Sequence, residues 1–455
     1  MSLYRGLFCF TNDLRLKDNL ALSALIRQST EIAFVYVFDP MLLKANNYQQ
    51  TSIGLHRLDF ILQSLDDLRS QLSLLGHQLH VCYGKPDVVI SHIVQSNKIN
   101  LVGYSDNVGW NEIKLWQRLK QKLTQVKFVS EWSDSLFSYE QMNEFDTEFS
   151  SFSQFRRKIE KYRLEVSQCC QTWLDTLPNP FVIDTALFDQ HQVGLPLVLA
   201  SQHQQKSLML GGELSALKHL HHYFSSDLPS TYKVTRNELD GFDNSTKFSP
   251  FLAHGNLSAR QVWTAVRQYE AQHGANDSTY WIGFELLWRE YFHWLALRLA
   301  TQLFNFKGGK QTAPLTSYFP ERFQKWCHGT TPYPLVNACM KQLNATGYMS
   351  NRGRQIVASC LVNELGVDWR YGAAYFEKQL IDYDVASNWG NWQYIAGVGA
   401  DPRGGRHFNI AKQSKTYDPD NVFIQKWQGE QGVCHLDSVD AADWPISAEM
   451  SSEES

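Results

Sequence analysis

The sequence predicts an α/β domain joined by a long connector to an all-helical domain, and three observations predict it. The first ~130 residues alternate short apolar runs with amphipathic stretches, the signature of a parallel sheet covered on both faces. From about residue 206 to about residue 430 the apolar spacing becomes helical throughout. A chain of 455 residues also exceeds what one core normally fills. The expected divisions are 1–132, a doubly wound, Rossmann-like parallel-sheet domain; 133–205, an inter-domain linker; 206–432, the helical domain; and 433–455, an acidic tail expected to be disordered.

In order along the first domain, 7–10, 32–38, 78–83, 100–103 and 127–129 read as strands, and 21–27, 55–75, 86–96 and 111–123 show helical spacing. No G-x-G-x-x-G and no P-loop is present, which excludes the ordinary dinucleotide and nucleoside-triphosphate readings. A ligand of this domain should lie beyond the carboxyl ends of the strands. The stretch 133–205 is rich in Ser, Gln and Phe, contains Pro178, Pro180 and Pro196, and shows little period, so it reads as a linker wrapping between domains.

In the second half, 208–224 is amphipathic, and Ser258-x-x-Gln261 forms a capping box opening a helix over 259–272. Asp277 or Ser278 is expected to cap a long helix that is apolar nearly all round, which marks it as central. Further helices fit 334–344, 353–364, 369–380 and 387–395.

Hydrophobic content of 43% and charged content of 19% are those of a soluble globular protein, expected to be a monomer. A net charge of −4 gives no support to non-specific nucleic-acid binding by the whole molecule, although a local basic patch stays open. Eight cysteines without a C-x-x-C or zinc spacing read as reduced thiols of an intracellular protein, with no metal site. The amino terminus lacks a signal-peptide core. The most apolar long stretch, 280–304, is broken by Glu285, Arg289, Glu290, His293 and Arg298, so it is not a membrane span and a cytoplasmic location is expected.

Candidate chemistry concentrates in the helical half. The run I-D-Y-D-V-A-S-N-W-G-N-W-Q-Y-I-A-G over 381–397 places Asp382 and Asp384 beside Asn388, Asn391, Trp389 and Trp392. Acids, amides and indoles together suit the wall around a large planar polar ligand; a Trp-rich turn packed on a helical core is the alternative. Asn244-Ser-Thr-Lys-Phe-Ser-Pro250 gathers Ser245, Thr246, Lys247 and Ser249 before a proline, with Ser249 as a candidate N-cap. That set would suit a diphosphate, or form a plain cap and turn. Glu285 and Arg289 stand four apart on the buried helix, either as an intrahelical salt bridge or as functional groups. Asn351-Arg-Gly-Arg354 offers one arginine to neutralise Asp382 and another for a phosphate, against a solvated helix start. Trp326, Trp369 and Trp392 fall on three helices, as core packing or as a chain for electron hopping.

Taken together these motifs resemble the photolyase/cryptochrome family, and within it the DASH-type cryptochromes. The resemblance runs through T-N-D-L-R-L-K-D-N, Y-K-V-T-R-N-E-L, N-S-T-K-F-S-P-F-L-A-H-G-N-L-S-A-R, S-T-Y-W-I-G-F-E-L-L-W-R-E-Y-F, G-Y-M-S-N-R-G-R-Q, the 381–397 run and K-Q-S-K-T-Y-D-P-D, everything but the acidic tail. It implies an α/β domain and an all-helical domain binding FAD in a folded conformation. By position, Tyr232, Ser245, Thr246, Lys247 and Ser249 would hold the phosphates and nearby sugar. Glu285, Arg289, Asn351, Arg354, Asp382, Asp384 and Asn388 would line the rest, with Arg354 pairing Asp382 and Asn388 facing flavin N5. Trp392, Trp369 and Trp326 match the relay that carries electrons from the surface to photoexcited flavin.

The implied activity is light-driven splitting of cyclobutane pyrimidine dimers, a deoxyribodipyrimidine photo-lyase in which the cofactor performs the hard step. Glu285 would contact the dimer's base edges, Trp288 would be a stacking wall, and Arg236, Arg352 and Arg406 would meet phosphates. The chain departs from duplex photolyases at Tyr394, where they carry an indole, and at Gln355, where they carry a methionine. Flipping a base from a duplex costs a few kcal/mol, and stacking returns only about 1–3 kcal/mol per base. A weakened wall therefore predicts preference for single-stranded or looped DNA; RNA remains an open second partner. A methenyltetrahydrofolate antenna between the domains would use Asn111, Glu112 and Glu131. The rival function is a blue-light photoreceptor with weak nucleic-acid binding; an NAD(P)H oxidoreductase lacks its fingerprint and ranks last.

Overall fold

β1 (Arg5–Phe10) lies in the middle of the sheet, and its last five residues are all buried, as an apolar run covered on both faces must be. With β2 (Glu31–Phe38), β3 (Leu79–Tyr83), β4 (Leu101–Ser105) and β5 (Lys127–Glu131) it forms a parallel sheet in the order β3-β2-β1-β4-β5. Leu7 pairs with Ala33 on one side and Val102 on the other. The crossovers are α1 (Leu20–Ile26), α2 (Leu55–Leu74), α3 (Pro86–Ser96) and α4 (Trp110–Lys122). Phe8, Phe10 and Phe34 pack with Leu22, Leu65 and Leu68 on one face; Leu7, Cys9 and Val35 pack with Val89, Ile93 and Leu119 on the other. This is the doubly wound arrangement expected, reversing direction between β1 and β4. The computed structural model describes residues 4–144, 149, 151–170, 177–188, 209–310, 313–399, 404–434 and 436.

The segment read as a linker without period contains regular structure. It holds α5 (Tyr139–Glu144), α6 (Phe152–Tyr162) and β6 (Asn179–Pro180), the last pairing with the start of β2. Phe152, Phe155 and Ile159, at i, i+3 and i+7, bury one face of α6 in the helical core. Pro196 lies outside the described residues, as does the acidic tail after 436.

The helical half comprises α7 (Glu213–Phe224), α8 (Leu228–Thr235), α9 (Ser249–Ala253), α10 (Ala259–His273), α11 (Asp277–Leu299), α12 (Pro320–His328), α13 (Pro334–Thr346), α14 (Asn351–Ser359), α15 (Trp369–Gln379), α16 (Val385–Ile395), α17 (Ile410–Tyr417) and α18 (Val422–Lys426). As its pattern requires, α11 is central, packing against α6, α8, α10 and α16. Its cap is Asn276, not Asp277 or Ser278: the Asn276 carboxamide accepts from the amides of Ser278 and Thr279, and Thr279 completes the box. The Ser258–Gln261 capping box forms as expected. No described helix is long and apolar enough to cross a membrane.

The T-N-D-L-R-L-K-D-N loop joins the two halves. Asp18 and Arg260, both almost wholly buried, lie 3.1 Å apart, and the Ser258 hydroxyl donates to the same carboxylate. Arg15 donates to the carbonyls of Gly255 (2.9 Å) and Ser133 (2.6 Å), and the Glu213 carboxylate accepts from the amides of Leu16 and Lys17. Gly255 has φ +68°, and a Cβ there would stand 2.1 Å from the Asn12 carbonyl, so only glycine allows this approach.

Candidate flavin site

A cavity of about 530 Å³ opens among α8, α9, α11, α14 and the segment 382–394, a size suited to a cofactor. A smaller adjoining pocket of about 100 Å³ shares Asn351, Arg354, Asp382 and Asp384 with it and adds Asn388 and Trp392. Every residue expected to hold the cofactor lines one or the other.

The polar groups are held by partners from distant segments. Arg354 Nη2 donates to Asp382 Oδ2 at 2.8 Å, as expected, and the Ser249 hydroxyl donates to the same oxygen at 2.6 Å. Ser249 is therefore not the N-cap; it is the first residue of α9 and serves as a second clamp on Asp382. Asp382 Oδ1 is buried without a hydrogen-bond partner among the described residues. Lys247, only 6% exposed, adopts a left-handed φ of +51° and donates to Ser245 Oγ at 2.7 Å. Such a conformation costs a non-glycine residue about 1–2 kcal/mol, and here it aims an ammonium along the cavity wall beside Ser245 and Thr246.

Glu285 and Arg289 do not pair with each other. Glu285 Oε1 lies 2.7 Å from Arg236 Nη2, off the angle of a good hydrogen bond, so this buried oxygen keeps its capacity to accept. Burial pushes the Glu285 carboxyl up, with Arg236 opposing. Arg289 reaches back to Asp134, bonding both its carbonyl (2.7 Å) and its carboxylate. Burial also pushes Asp384 up, but His293 at 3.2 Å, Arg289 and Ser387 overcome it and hold the carboxyl well below the usual range. Asp134, His293 and Phe152 are contributors that sequence reasoning missed. Phe152 stacks on Trp288 at 3.7 Å and 11°, fixing the indole that borders the cavity.

Asn388 donates from Nδ2 to the Ala373 carbonyl at 3.0 Å. A carbonyl can only accept, so the amide orientation is set and Oδ1 is the acceptor left for a ligand.

Of the candidate nucleic-acid contacts, Arg236, Gln355 and Tyr394 line the cavity. Tyr394 meets Trp288 edge-on, with centroids 6.0 Å apart. Arg352 and Arg406 are not among the lining residues: the Arg352 guanidinium lies over Tyr417, and that of Arg406 lies over Tyr394. The antenna candidates are not brought to one pocket. Glu131 lines a cavity of about 180 Å³ at the carboxyl ends of β4 and β5, with Asp106 and Glu140, which neither Asn111 nor Glu112 lines. Burial raises both the Asp106 and the Glu131 carboxyls.

The three relay indoles do not form the expected line to the surface. Trp392 borders the smaller pocket, and Gly372, where a Cβ would stand 2.3 Å from its ring, lets it lie against α15. Trp326 meets Trp392 edge-on at 6.2 Å, whereas Trp369 meets Trp389 at 5.8 Å. Trp326 and Trp369 are fully buried and Trp392 is 2% exposed, so none of them is a surface terminus.

The residues fit the group the resemblance implies. A folded flavin needs a long cavity with a cationic and hydroxyl-bearing wall for phosphates and free acceptors for ring and ribose N–H and O–H groups. Lys247, Ser245 and Thr246 supply the first, and the partnerless Asp382 Oδ1 and the Asn388 carbonyl supply the second.

Residues 281–451 match the model of the FAD binding domain of DNA photolyase, and residues 7–178 match that of DNA photolyase. Cryptochrome DASH of Idiomarina loihiensis is 49% identical over 98% of each chain. The chain belongs to the photolyase/cryptochrome family, on its cryptochrome DASH branch. Cryptochrome DASH of Vibrio parahaemolyticus is 44% identical, again over 98% of each chain. Among solved structures of the family, the Synechocystis cryptochrome superposes with TM-score 0.87 at 38% identity, covering 94% of this chain and 89% of its own. A class III photolyase from Agrobacterium tumefaciens gives TM-score 0.78 at 26% identity, covering 94% and 87%. The FAD-binding domain and the α/β domain are thus those of the family, in the order the sequence predicts.

Proposed function

We propose that this protein is a photolyase that splits cyclobutane pyrimidine dimers in single-stranded or looped DNA. Reduced FAD, when bound, supplies the light-excited electron. The observation that carries the reading is the juxtaposition, in one cavity, of the cofactor residues with Glu285, Arg236 and Trp288. Trp288, fixed by Phe152, offers a rigid face for an extruded pyrimidine pair. Glu285 offers a buried acceptor to base-edge N–H groups, and Arg236, released from it, can turn to a phosphate. Asn388 holds its acceptor toward the smaller pocket, where it would receive N5–H of the reduced ring.

The strand preference rests on Tyr394, which meets Trp288 by its edge and so offers a flipped base a narrower wall than an indole would. The folate antenna belongs to the same reading; what supports it is Glu112, at the start of α4 in the first domain, whose carboxyl, raised by burial, also feels the charges of Glu377 and Asp384 from the helical domain and so stands between the two. The test is the absorption spectrum of flavin-reconstituted protein followed by light-driven repair of matched single- and double-stranded oligonucleotides and an RNA strand. Faster repair of the single strand is expected. Equal rates on both DNA forms would reject the preference, and no repair of either would leave the photoreceptor reading in its place.

A further inference from the structure

The expected relay needs an outlet, and its three indoles have none, since Trp326, Trp369 and Trp392 are all sealed from solvent. Ring contacts nevertheless lead outward from both ends of the set. From Trp369 the path runs to Trp389 (5.8 Å), Tyr48 (6.2 Å) and Tyr371 (5.2 Å). From Trp392 it runs to Trp326 (6.2 Å), Phe323 (6.1 Å) and again Tyr371 (5.6 Å). Both routes converge on one pair: Tyr371 and Tyr318 stack with centroids 4.1 Å apart at 15°, and Tyr318 is 38% exposed.

We infer that the stacked tyrosines Tyr371 and Tyr318 are the exit of the electron relay, so that the surface donor in this protein is a phenol and not an indole. The inference rests on the flavin reading above.

Tyr375 also touches Trp326, at 5.6 Å, but it cannot serve as the outlet. Its hydroxyl is 2.6 Å from Asn344 Oδ1 and 3.2 Å from the Cys327 carbonyl, and the residue is 6% exposed, so a phenolic proton has no water to leave into. Tyr318 has that water. In the step proposed, Trp392 gives one electron to oxidised flavin excited by light, the hole passes to Trp326, and it is refilled from Tyr371 by tunnelling across the Phe323 ring, which is not itself oxidised. Tyr318 loses one electron inward and its phenolic proton to solvent, becoming a neutral radical. An external thiol then returns a hydrogen atom to the phenoxyl oxygen and is itself oxidised to a thiyl radical, which balances one electron and one proton.

The test uses the full chain carrying oxidised FAD, illuminated with blue light in the presence of dithiothreitol, with flavin content per protein as the control for folding. Flavin reduction is followed by absorbance, and radicals are identified by paramagnetic resonance of samples frozen under light, with and without ring-deuterated tyrosine. The parent should show a signal that narrows on tyrosine deuteration. The Tyr318→Phe/Tyr371→Phe double variant should lose that signal and photoreduce several-fold more slowly. An unchanged rate in the double variant, with Trp392→Phe slowed, overturns the exit while leaving the relay. Unchanged rates in both overturn the relay and the exit with it.

Discussion

Arg354 and Asp382, 28 residues apart in sequence, meet across the cavity with Nη2 2.8 Å from Oδ2, and the arginine side chain keeps 24% of its exposure while the carboxylate keeps 2%. That asymmetry decides which partner is costlier to remove. Arg354→Ala strands a buried carboxylate, a loss of about 3–5 kcal/mol. Asp382→Asn keeps an acceptor oxygen for a guanidinium that is a quarter exposed and also bonds the Met349 carbonyl, and should cost well under half of that. Both variants should copurify with little flavin, because both disturb the acceptor at Asp382 Oδ1. Urea unfolding alongside flavin absorbance per protein checks the ordering; equal stabilities would show that the carboxylate is not the dependent partner.

Glu285 tests recognition, with flavin content per protein as the control for its expected place in the cofactor wall. Its acceptor faces the cavity while Arg236 neutralises it at 2.7 Å. Removing an acceptor that base-edge N–H groups would otherwise satisfy costs about 1–3 kcal/mol. Glu285→Ala should therefore weaken binding of a dimer-bearing single strand by that amount while leaving the undamaged strand, held by phosphate contacts, nearly unaffected. Competition binding of the two strands measures it, and a parallel loss on both would assign Glu285 to structure only.

Strand preference should be movable by two substitutions. Tyr394→Trp with Gln355→Met widens the face opposite Trp288, and stacking is worth about 1–3 kcal/mol per base. That approaches the cost of extruding a base pair from a duplex. Duplex repair should rise by roughly tenfold, the equivalent of about 1.4 kcal/mol, with single-strand repair unchanged. If both substrates respond alike, the preference has another origin.

How far these features were legible in the sequence differs by physical cause. The strands of the first domain are buried on both faces, so Leu7 to Phe10 and Ile32 to Val35 read directly as apolar runs. α6 escaped because its single apolar face is only three residues, Phe152, Phe155 and Ile159, in a polar segment. Helical period showed that Glu285 and Arg289 could meet on α11, and it could not show that Arg236 and Asp134 arrive from elsewhere. That one arginine of Asn351-Arg-Gly-Arg354 could neutralise Asp382 was legible from charge alone; that it is Arg354 became legible only through the resemblance, since nothing local links the two residues. Burial of the relay indoles was likewise out of reach, because a tryptophan in an amphipathic helix reads the same whether its outer edge is covered or free.

His254 gives the fold a pH dependence that can be isolated. It is 5% exposed, and its Nε2–H donates to the Ile381 carbonyl at 2.8 Å, just before the cofactor acid Asp382. Burial, with the Arg57 guanidinium adding to it, pulls the imidazole from 6.5 down to about 4, and the bond to Ile381 only partly opposes this. The folded pKa lies below the unfolded one, so between these values the unfolded chain binds the extra proton and stability rises with pH. The contribution is fully present above about pH 6.5 and is lost progressively as the pH falls toward 4. Between pH 7 and pH 5 the loss from this group is about 2 kcal/mol. His254→Gln, which can still donate to Ile381 but cannot take up a proton, should be less stable than the parent at pH 7 and lose less on acidification. Urea unfolding of both proteins at the two pH values measures the difference; parallel losses would place the acid sensitivity at another group.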